Sequence, residues 1–160
     1  MSKKNSSKER VRAFAANAGF EIDIIDMPSS TRTAEEAAKA CDCEVSQIVK
    51  SLIFQGAESG NLYLLLVSGA NKVNLPSVAD ILGEPLQRAD PKDVRKRTGF
   101  SIGGVAPFAS LETLPVSIDQ KLLDFKNVWA AGGAPNSVFR ISLETLVNLT
   151  GAKTIRVSSD

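Results

Sequence analysis

Residues 47–54 read Gln-Ile-Val-Lys-Ser-Leu-Ile-Phe and predict a β-strand with a charge in its middle. The run is short, β-branched and apolar on both alternating faces, which is typical of a strand that is covered on two sides. Lys50 points to the same face as Ile48 and Leu52. A lysine at that place must either reach solvent from an edge strand or face a polar cavity, where its ammonium could hold a phosphate. The strand alone leaves both interpretations open.

The elements around this strand alternate closely between helices and strands. A second apolar strand at residues 62–67 follows a glycine-containing turn, so the two most simply pair as a hairpin. Thr33 and Glu36 form a capping-box pattern, which predicts a helix before the Lys50 strand. Other helices are predicted around residues 8–18, 76–82, 91–97 and 142–149, and other strands at residues 21–26, 114–118, 127–130 and 138–141.

These elements predict the fold class. Helical crossovers long enough for repeated parallel βαβ units are scarce in the chain. We therefore expect an α/β fold with a mixed, largely antiparallel sheet or partial barrel and flanking helices. The length of 160 residues and the hydrophobic content of 43% fit a single domain that covers residues 1–160.

Composition limits the chemistry more than it limits the fold. The chain has no histidine, which excludes Ser-His-Asp and Cys-His catalysis and histidine-rich metal sites. Cys41 and Cys43 form a C-x-C pair without the two further ligands that a zinc site needs, so we expect ordinary thiols and no metal or other cofactor. Any catalysis must use a lysine, a carboxylate, backbone dipoles or a group that the substrate brings.

Charge indicates that any contact with nucleic acid is local. Lys and Arg total 19 against 18 acidic residues, which gives a formal net charge of +1. The polar, basic start and the lack of an apolar run of about 18 residues predict a cytoplasmic protein without a membrane partner. Two basic clusters are typical of solvated faces, with nucleic-acid contact as the alternative. They are Lys92, Arg95, Lys96 and Arg97, and, near the N-terminus, Lys3, Lys4, Lys8, Arg10 and Arg12.

Two glycine-rich stretches, residues 103–107 and 130–137, each place paired glycines beside a proline. Glycine lets a backbone approach a ligand closely and expose its N–H groups, while proline fixes a turn. The first stretch has neither the Gly-Lys-Ser/Thr ending of a phosphate loop nor the GxGxxG pattern of a dinucleotide site. Such loops are more often simple turns than sites. If the first loop does contact a substrate, bulk added at Gly104 should slow the chemistry without unfolding the protein.

Four runs of sequence, in this order, carry a resemblance to a known family. They are TRTAEEAAKACDCEVSQIVKSLIF at residues 31–54, LYLLLVSGANKVN at 62–74, GFSIGGVAPFA at 99–109 and VWAAGGAPNSVFRISLETLVNLTGA at 128–152. Together they resemble the YbaK/prolyl-tRNA-synthetase-associated domain family, which hydrolyses amino acids wrongly attached to tRNA, typically alanine or cysteine on the tRNA for proline. The resemblance implies a YbaK-like fold and a free-standing aminoacyl-tRNA deacylase that edits in trans. It also implies the tRNA acceptor end as a partner, with prolyl-tRNA synthetase as a candidate second partner.

The resemblance also implies roles for individual residues. Lys50 matches the functional lysine of the family, which engages the phosphate or the terminal adenosine of the acceptor end. Ser51, next to it, is expected to bind substrate. Gly103, Gly104 and Pro107 match the GxxxP loop, whose backbone lies against the scissile ester, so Lys50 and the two glycines are the expected catalytic groups.

A second set of substrate-binding residues is implied by the loop that lines the amino-acid pocket in the family. These residues are Gly132, Gly133, Asn136 and Ser137. Several alanine-specific relatives carry a histidine in this loop, and this chain has none. The reaction class is therefore implied, whereas the amino acid that is removed is not.

The expected chemistry needs no histidine. An aminoacyl ester is already activated, so hydrolysis requires a positioned water and stabilisation of one oxyanion, which backbone groups can supply. The vicinal ribose hydroxyl of the substrate could relay the proton. Two alternatives remain: a non-catalytic module that binds tRNA or a synthetase, and a nucleotide-binding or nucleotide-hydrolysing protein, which the missing phosphate loop and acidic metal cluster disfavour.

Overall fold

The computed structural model describes residues 6–28 and 33–158, which form helices and strands in close alternation. The α-helices are α1 Ser6–Asn17, α2 Ala34–Cys41, α3 Leu75–Leu82, α4 Pro91–Thr98 and α5 Leu143–Thr150. The strands are β1 Ile25–Asp26, β2 Val49–Gly56, β3 Leu62–Ser68, β4 Leu86–Arg88, β5 Val116–Asp119, β6 Asn127–Ala131, β7 Ser137–Ser142 and β8 Lys153–Ile155. Short 3-10 helices occur at Val45–Gln47 and Gln120–Asp124.

The strands form two sheets of mixed direction. The larger has the order β4-β2-β3-β5-β8 and the smaller the order β1-β7-β6. Only the β3–β5 and β5–β8 pairs among these are parallel, which confirms the predicted α/β class with largely antiparallel pairing. The predicted hairpin is also confirmed, since Lys50 of β2 lies opposite Val67 of β3. A parallel bridge between Ile48 and Trp129 joins the sheets, and the described strands do not close into a barrel.

Local sequence signals fix several helix ends. Thr33 Oγ1 accepts a hydrogen bond from Glu36 N at 3.1 Å and Glu36 Oε1 accepts one from Thr33 N at 3.1 Å, so the predicted capping box is confirmed. Ser142 caps α5 by accepting from Thr145 N, and Gly151 ends that helix in the left-handed conformation.

The predicted strand at residues 21–26 is wrong over most of its length. Only Ile25 and Asp26 pair with another strand, β7, while Phe20 and Ile22 pack against the core without a ladder. The apolar alternation there reflects side-chain packing rather than strand pairing. The short strands β4 and β8 gave no signal strong enough to predict, because each contributes three residues at a sheet edge.

Both faces of β2 are covered, as the apolar run predicted. On one face Val49 and Ile53 pack into the main core with Leu64 and Leu66 of β3. On the other face Leu52 and Phe54 pack against a smaller cluster around Leu65, Val67 and Val78. Lys50 therefore shares a strand face with an apolar cluster and lies at its margin. No helix in residues 6–28 and 33–158 is long and apolar enough to cross a membrane.

Candidate active site

A cavity of about 450 Å³ lies along β2, between the larger sheet and the β6–β7 side of the smaller one. Lys50 and Arg88 are the charged side chains among the described residues that line it. The other parts of its wall come from α2, the first glycine-rich stretch, β6 and β7. Residues that line it include Ala37, Ser51, Ile53, Ile102, Gly103, Val105, Trp129, Ala130, Asn136 and Ser137. An apolar cavity whose charges are both positive suits a ligand with an anionic group.

The backbone of β2 is open toward this cavity. Ile48 O accepts from Gly69 N at 2.7 Å and Gly56 N donates to Asn61 O at 2.8 Å, so even-numbered residues of β2 bond to β3. The N–H and C=O of Ser51 therefore point to the opposite edge. On that edge β4 pairs with residues 54–56 of β2 and does not extend beyond Phe54. At the other end of β2, Ile48 forms the bridge with Trp129. Between these points no strand in the described part of the chain pairs with β2, so Ser51 can offer backbone groups to a ligand.

Lys50 is held in place by a backbone carbonyl. Its Nζ donates to Asn71 O at 2.7 Å, which leaves two further N–H groups of the ammonium for a ligand. Burial lowers the pKa of Lys50, the negative charges of Glu35 and Asp119 oppose this shift, and Lys72 adds to it. Lys50 is thus a half-buried cation on the wall of the cavity, on a stretch of β2 that pairs with β3 along one edge and is open to the cavity along the other.

The carbonyl that holds Lys50 is itself fixed by a buried carboxylate, which sequence reasoning missed. Asp119 is 1% exposed, and its Oδ2 accepts from Asn71 Nδ2 at 2.9 Å and from Ser68 N at 3.0 Å. Its Oδ1 accepts from Lys121 N at 3.0 Å. Asn71 lies in one of the motifs that carry the family resemblance, which was a usable signal. Asp119 is the last residue of the short strand β5 and gave none.

The hydroxyl of Ser51 is buried on the other face of β2. Ser51 Oγ has no hydrogen-bond partner in the described structure and shares its strand face with Val49 and Ile53. A buried hydroxyl without a partner destabilises a fold by about 1–3 kcal/mol. A ligand group that pairs with this oxygen would relieve that cost, so the predicted role of Ser51 in substrate binding fits its position in the cavity.

The first glycine-rich stretch reaches the cavity through Gly103. This residue has a φ of +95°, and a Cβ placed on it would meet no heavy atom within 4 Å, so its backbone faces open space. Gly104 N donates to Ser101 O at 2.9 Å and closes a tight turn, which presents Ile102, 55% exposed, at the mouth. Pro107 is buried behind the cavity wall.

Gly104 has a different role from its neighbour. A Cβ at Gly104 would lie 2.8 Å from Ala134 C and 2.8 Å from Pro135 N, both backbone atoms of the second glycine-rich stretch. Bulk at Gly104 would therefore push the two loops apart. Because Gly104 packs loop against loop, the structure indicates that such bulk would also lower the stability of the protein, and its effect on chemistry stays a prediction.

The second glycine-rich stretch divides in the same way. Gly132 packs against Ile24 and Gly133 against Ser7 of α1, whereas Asn136 and Ser137 line the cavity. Ser137 Oγ donates to Asp26 Oδ1 at 2.8 Å; this bond, and then Lys8, lowers the pKa of Asp26. Of the predicted site residues, Lys50, Ser51, Gly103, Asn136 and Ser137 thus line one cavity, and the others lie behind its wall.

The basic clusters are partly used within the protein. Arg97 pairs with Glu112 and Asp93, and Arg95 donates to Ser101 Oγ at 3.0 Å. Lys8 pairs with Asp26, Arg12 pairs with Glu9, and Arg10 donates to backbone carbonyls. Lys3 and Lys4 lie outside the described residues. These pairings favour structural roles for Arg97, Arg10 and Lys8.

Comparisons with known proteins identify the family of the chain. The crystal structure of a candidate trans-editing enzyme for prolyl tRNA synthetase superposes with a TM-score of 0.90 at 43% identity and covers 100% of this chain and 99% of its own. The uncharacterized protein YwhH of Bacillus subtilis strain 168 is 29% identical over 147 residues, 92% of this chain and 93% of YwhH. A proline–tRNA ligase of Thermosipho melanesiensis is 30% identical over 117 residues, which cover 72% of this chain and 20% of the ligase. Residues 28–149 match the aminoacyl-tRNA editing domain, and the chain therefore belongs to that family.

Proposed function

We propose that this protein hydrolyses the ester bond between a wrongly attached amino acid and the terminal adenosine of a tRNA, with the tRNA for proline as the carrier. The observation that carries the proposal is the cavity along β2, where Lys50 and the open backbone of Gly103 line one space. The acceptor end of a tRNA brings both an anionic phosphate and an activated ester. A cavity with cationic side chains and accessible backbone amides matches that pair of groups.

Lys50, the Gly103 backbone and the open edge of β2 would each bind a different part of the substrate. The two N–H groups of Lys50 that Asn71 leaves available hold a phosphate of the acceptor end. The ester then lies between the backbone of Gly103 and the open edge of β2 at Ser51. A water adds to the ester carbonyl carbon, the bond to the ribose oxygen breaks, and this oxygen leaves with a proton. The neighbouring ribose hydroxyl passes the proton, because the chain has no histidine to do so.

The similar proteins support the carrier and the partner. The structural neighbour is a candidate trans-editing enzyme for prolyl tRNA synthetase, and proline–tRNA ligases match over 59–72% of this chain. We infer that prolyl-tRNA synthetase supplies the misacylated tRNA and that both act in the cytoplasm. A module that binds tRNA without turnover would use the same cavity, so turnover is the property to measure.

The experiment is a panel of misacylated tRNAs. The tRNA for proline is charged with alanine, cysteine, serine or threonine, and each product is incubated with the protein under single-turnover conditions. The controls are two correctly charged tRNAs, which carry proline on the tRNA for proline and alanine on the tRNA for alanine. We expect rapid release of at least one amino acid from the proline tRNA and slow release from the correctly charged pairs. The rate should persist after treatment with EDTA. Binding of every tRNA without release above the spontaneous rate would support the non-catalytic module instead.

A further inference from the structure

Helix α1 lies outside residues 28–149, which match the editing domain, yet it contacts both flanks of the first glycine-rich stretch and Gly133 of the second. Its residue Arg10 turns inward and stays half-buried. Arg10 Nη2 donates to Thr98 O at 3.1 Å, and Arg10 Nε donates to Ala109 O at 3.0 Å. These two carbonyls stand at the beginning and the end of residues 99–109, which we call the catalytic loop. One guanidinium therefore bridges the two ends of the loop that presents Gly103. We call the place where these ends meet, at Thr98 and Ala109, the neck of the loop.

Further contacts at the neck fix the same geometry. The Arg10 guanidinium lies over the ring of Phe100, 4.8 Å from its centroid. Leu111 N donates to Thr98 O at 3.1 Å, so this carbonyl accepts from two sides. A Cβ at Gly99 would lie 2.5 Å from Arg10 Nη2, which shows how closely the guanidinium presses on the loop backbone. The planar fork of the guanidinium is preorganised to donate to both carbonyls at once.

The same helix supports the rest of the loop and its neighbour. Phe14 stacks on Phe108 at a centroid distance of 5.2 Å, near the end of the catalytic loop. On the second glycine-rich stretch, a Cβ at Gly133 would lie 3.0 Å from Ser7 O and 3.0 Å from Val11 Cγ2. Helix α1 is thus a common support for the two loops whose relative position shapes the cavity.

We propose that Arg10 is a positioning residue, which holds the catalytic loop so that the Gly103 backbone faces the substrate ester. The predicted effect of Arg10 on catalysis rests on the proposed function. Its effect on the position of the loop rests only on the contacts described above. Arg10 touches neither substrate nor reacting atoms and acts through the loop.

The test compares Arg10→Gln and Arg10→Lys with two controls. Arg12→Gln removes an exposed guanidinium from the same helix. In the described part of the chain this guanidinium forms an ion pair with Glu9. Gly151→Ala strains the left-handed end of α5 at a φ of +64° and lowers stability far from the loop. Steady-state deacylation gives kcat and KM, and hydrogen exchange reports on the backbone amides of residues 99–109.

We expect Arg10→Gln to lower kcat by about 10- to 100-fold with KM unchanged, since a small displacement of reacting groups has effects of that size. Arg10→Lys, which keeps the charge but reaches one carbonyl, should fall between the parent and Arg10→Gln. Exchange at residues 99–109 should accelerate in both Arg10 variants and stay at the parental rate in Arg12→Gln and Gly151→Ala. Should Arg10→Gln fail to fold, Arg10→Lys carries the same comparison.

Three results would overturn the proposal. They are a parental kcat in Arg10→Gln, an equal loss of kcat in Gly151→Ala, and unchanged exchange of the catalytic loop. A parent protein that deacylates no tRNA would refute the proposed function instead. In that case the exchange data still decide whether Arg10 fixes the loop.

Discussion

The two glycine-rich stretches have nearly the same composition but different surroundings. In the first, Gly103 faces open space at a φ of +95° and lines the cavity. In the second, Gly133 has a φ of +102° and is pressed against Ser7 and Val11 of α1. In the proposed complex the first glycine keeps a side chain away from the ligand, whereas the second lets a helix approach a loop. Paired glycines beside a proline therefore indicate that another group comes close to the backbone. They do not indicate whether that group is a ligand or another part of the protein.

The largest effect on stability is expected where the two stretches touch. Gly104→Val places side-chain atoms where Ala134 C and Pro135 N lie at 2.8 Å from the Cβ position, and backbone cannot move aside cheaply. We expect the free energy of unfolding to fall by about 3 kcal/mol. Urea unfolding measures this change, with Gly60→Ala as a control for backbone strain alone, since its Cβ position is open and its φ of +76° should lower stability by only about 1 kcal/mol. A Gly104→Val protein with parental stability would show that the loops do not pack as described.

Gly133→Ala tests the packing role of the second stretch. The added Cβ meets Ser7 O and Val11 Cγ2 at 3.0 Å, and the positive φ adds strain, so we expect a loss of about 2 kcal/mol. Deacylation per folded molecule should fall less than twofold at a temperature well below the thermal midpoint, because Gly133 does not line the cavity and α1 still supports the other loop through Arg10 and Phe14. If activity collapses while the midpoint stays, Gly133 belongs to the substrate pocket and the contrast between the loops is lost.

Gly103→Ala tests the opposite expectation for the first stretch. The Cβ meets no atom within 4 Å, so the stability loss comes from the positive φ and is about 1 kcal/mol. Because the methyl group lies beside the ester in the proposed complex, kcat/KM should fall by about 10-fold or more. Thermal melts and single-turnover rates, measured beside Gly133→Ala, give the comparison directly. Parental turnover in Gly103→Ala would remove this loop from the site.

Ser51→Ala should have the smallest effect on stability, with the opposite sign. Removal of a buried hydroxyl without a partner relieves its desolvation, so the free energy of unfolding should rise by up to about 1 kcal/mol. Deacylation should slow if the hydroxyl binds substrate. Ser117→Ala on β5 is a buried serine for comparison. A clear loss of stability in Ser51→Ala would mean that the hydroxyl already has a partner in the free protein.

Sequence reasoning succeeded where the cause is local. The capping box at Thr33 and the cap at Ser142 depend on residues three positions apart, and both were visible in the chain. The hairpin of β2 and β3 was equally visible. Gly103 and Gly104 could not be separated, because their difference depends on Ala134 and Pro135 in another loop. Asp119 was missed because its contact with Asn71 spans 48 residues.

Lys50 is central to the proposed activity, since its ammonium is the charged group that would hold the acceptor end. The pKa of Lys50 is lowered in the folded protein, chiefly by burial. The folded state therefore binds this proton less tightly than the unfolded chain does. Below the folded-state pKa the charged lysine destabilises the fold in full, and this cost fades as the pH rises from the folded-state pKa to the higher unfolded-state pKa. Removal of the charge at neutral pH should leave stability unchanged or raise it.

The most direct test is side-by-side turnover and melting of the parent, Lys50→Ala and Lys50→Arg on misacylated proline tRNA. We expect Lys50→Ala to lose deacylation by about 100-fold or more while its thermal midpoint stays the same or rises. Lys50→Arg should recover little, because a wide planar guanidinium does not replace a compact ammonium beside Asn71 O. Full activity in Lys50→Ala would contradict the account.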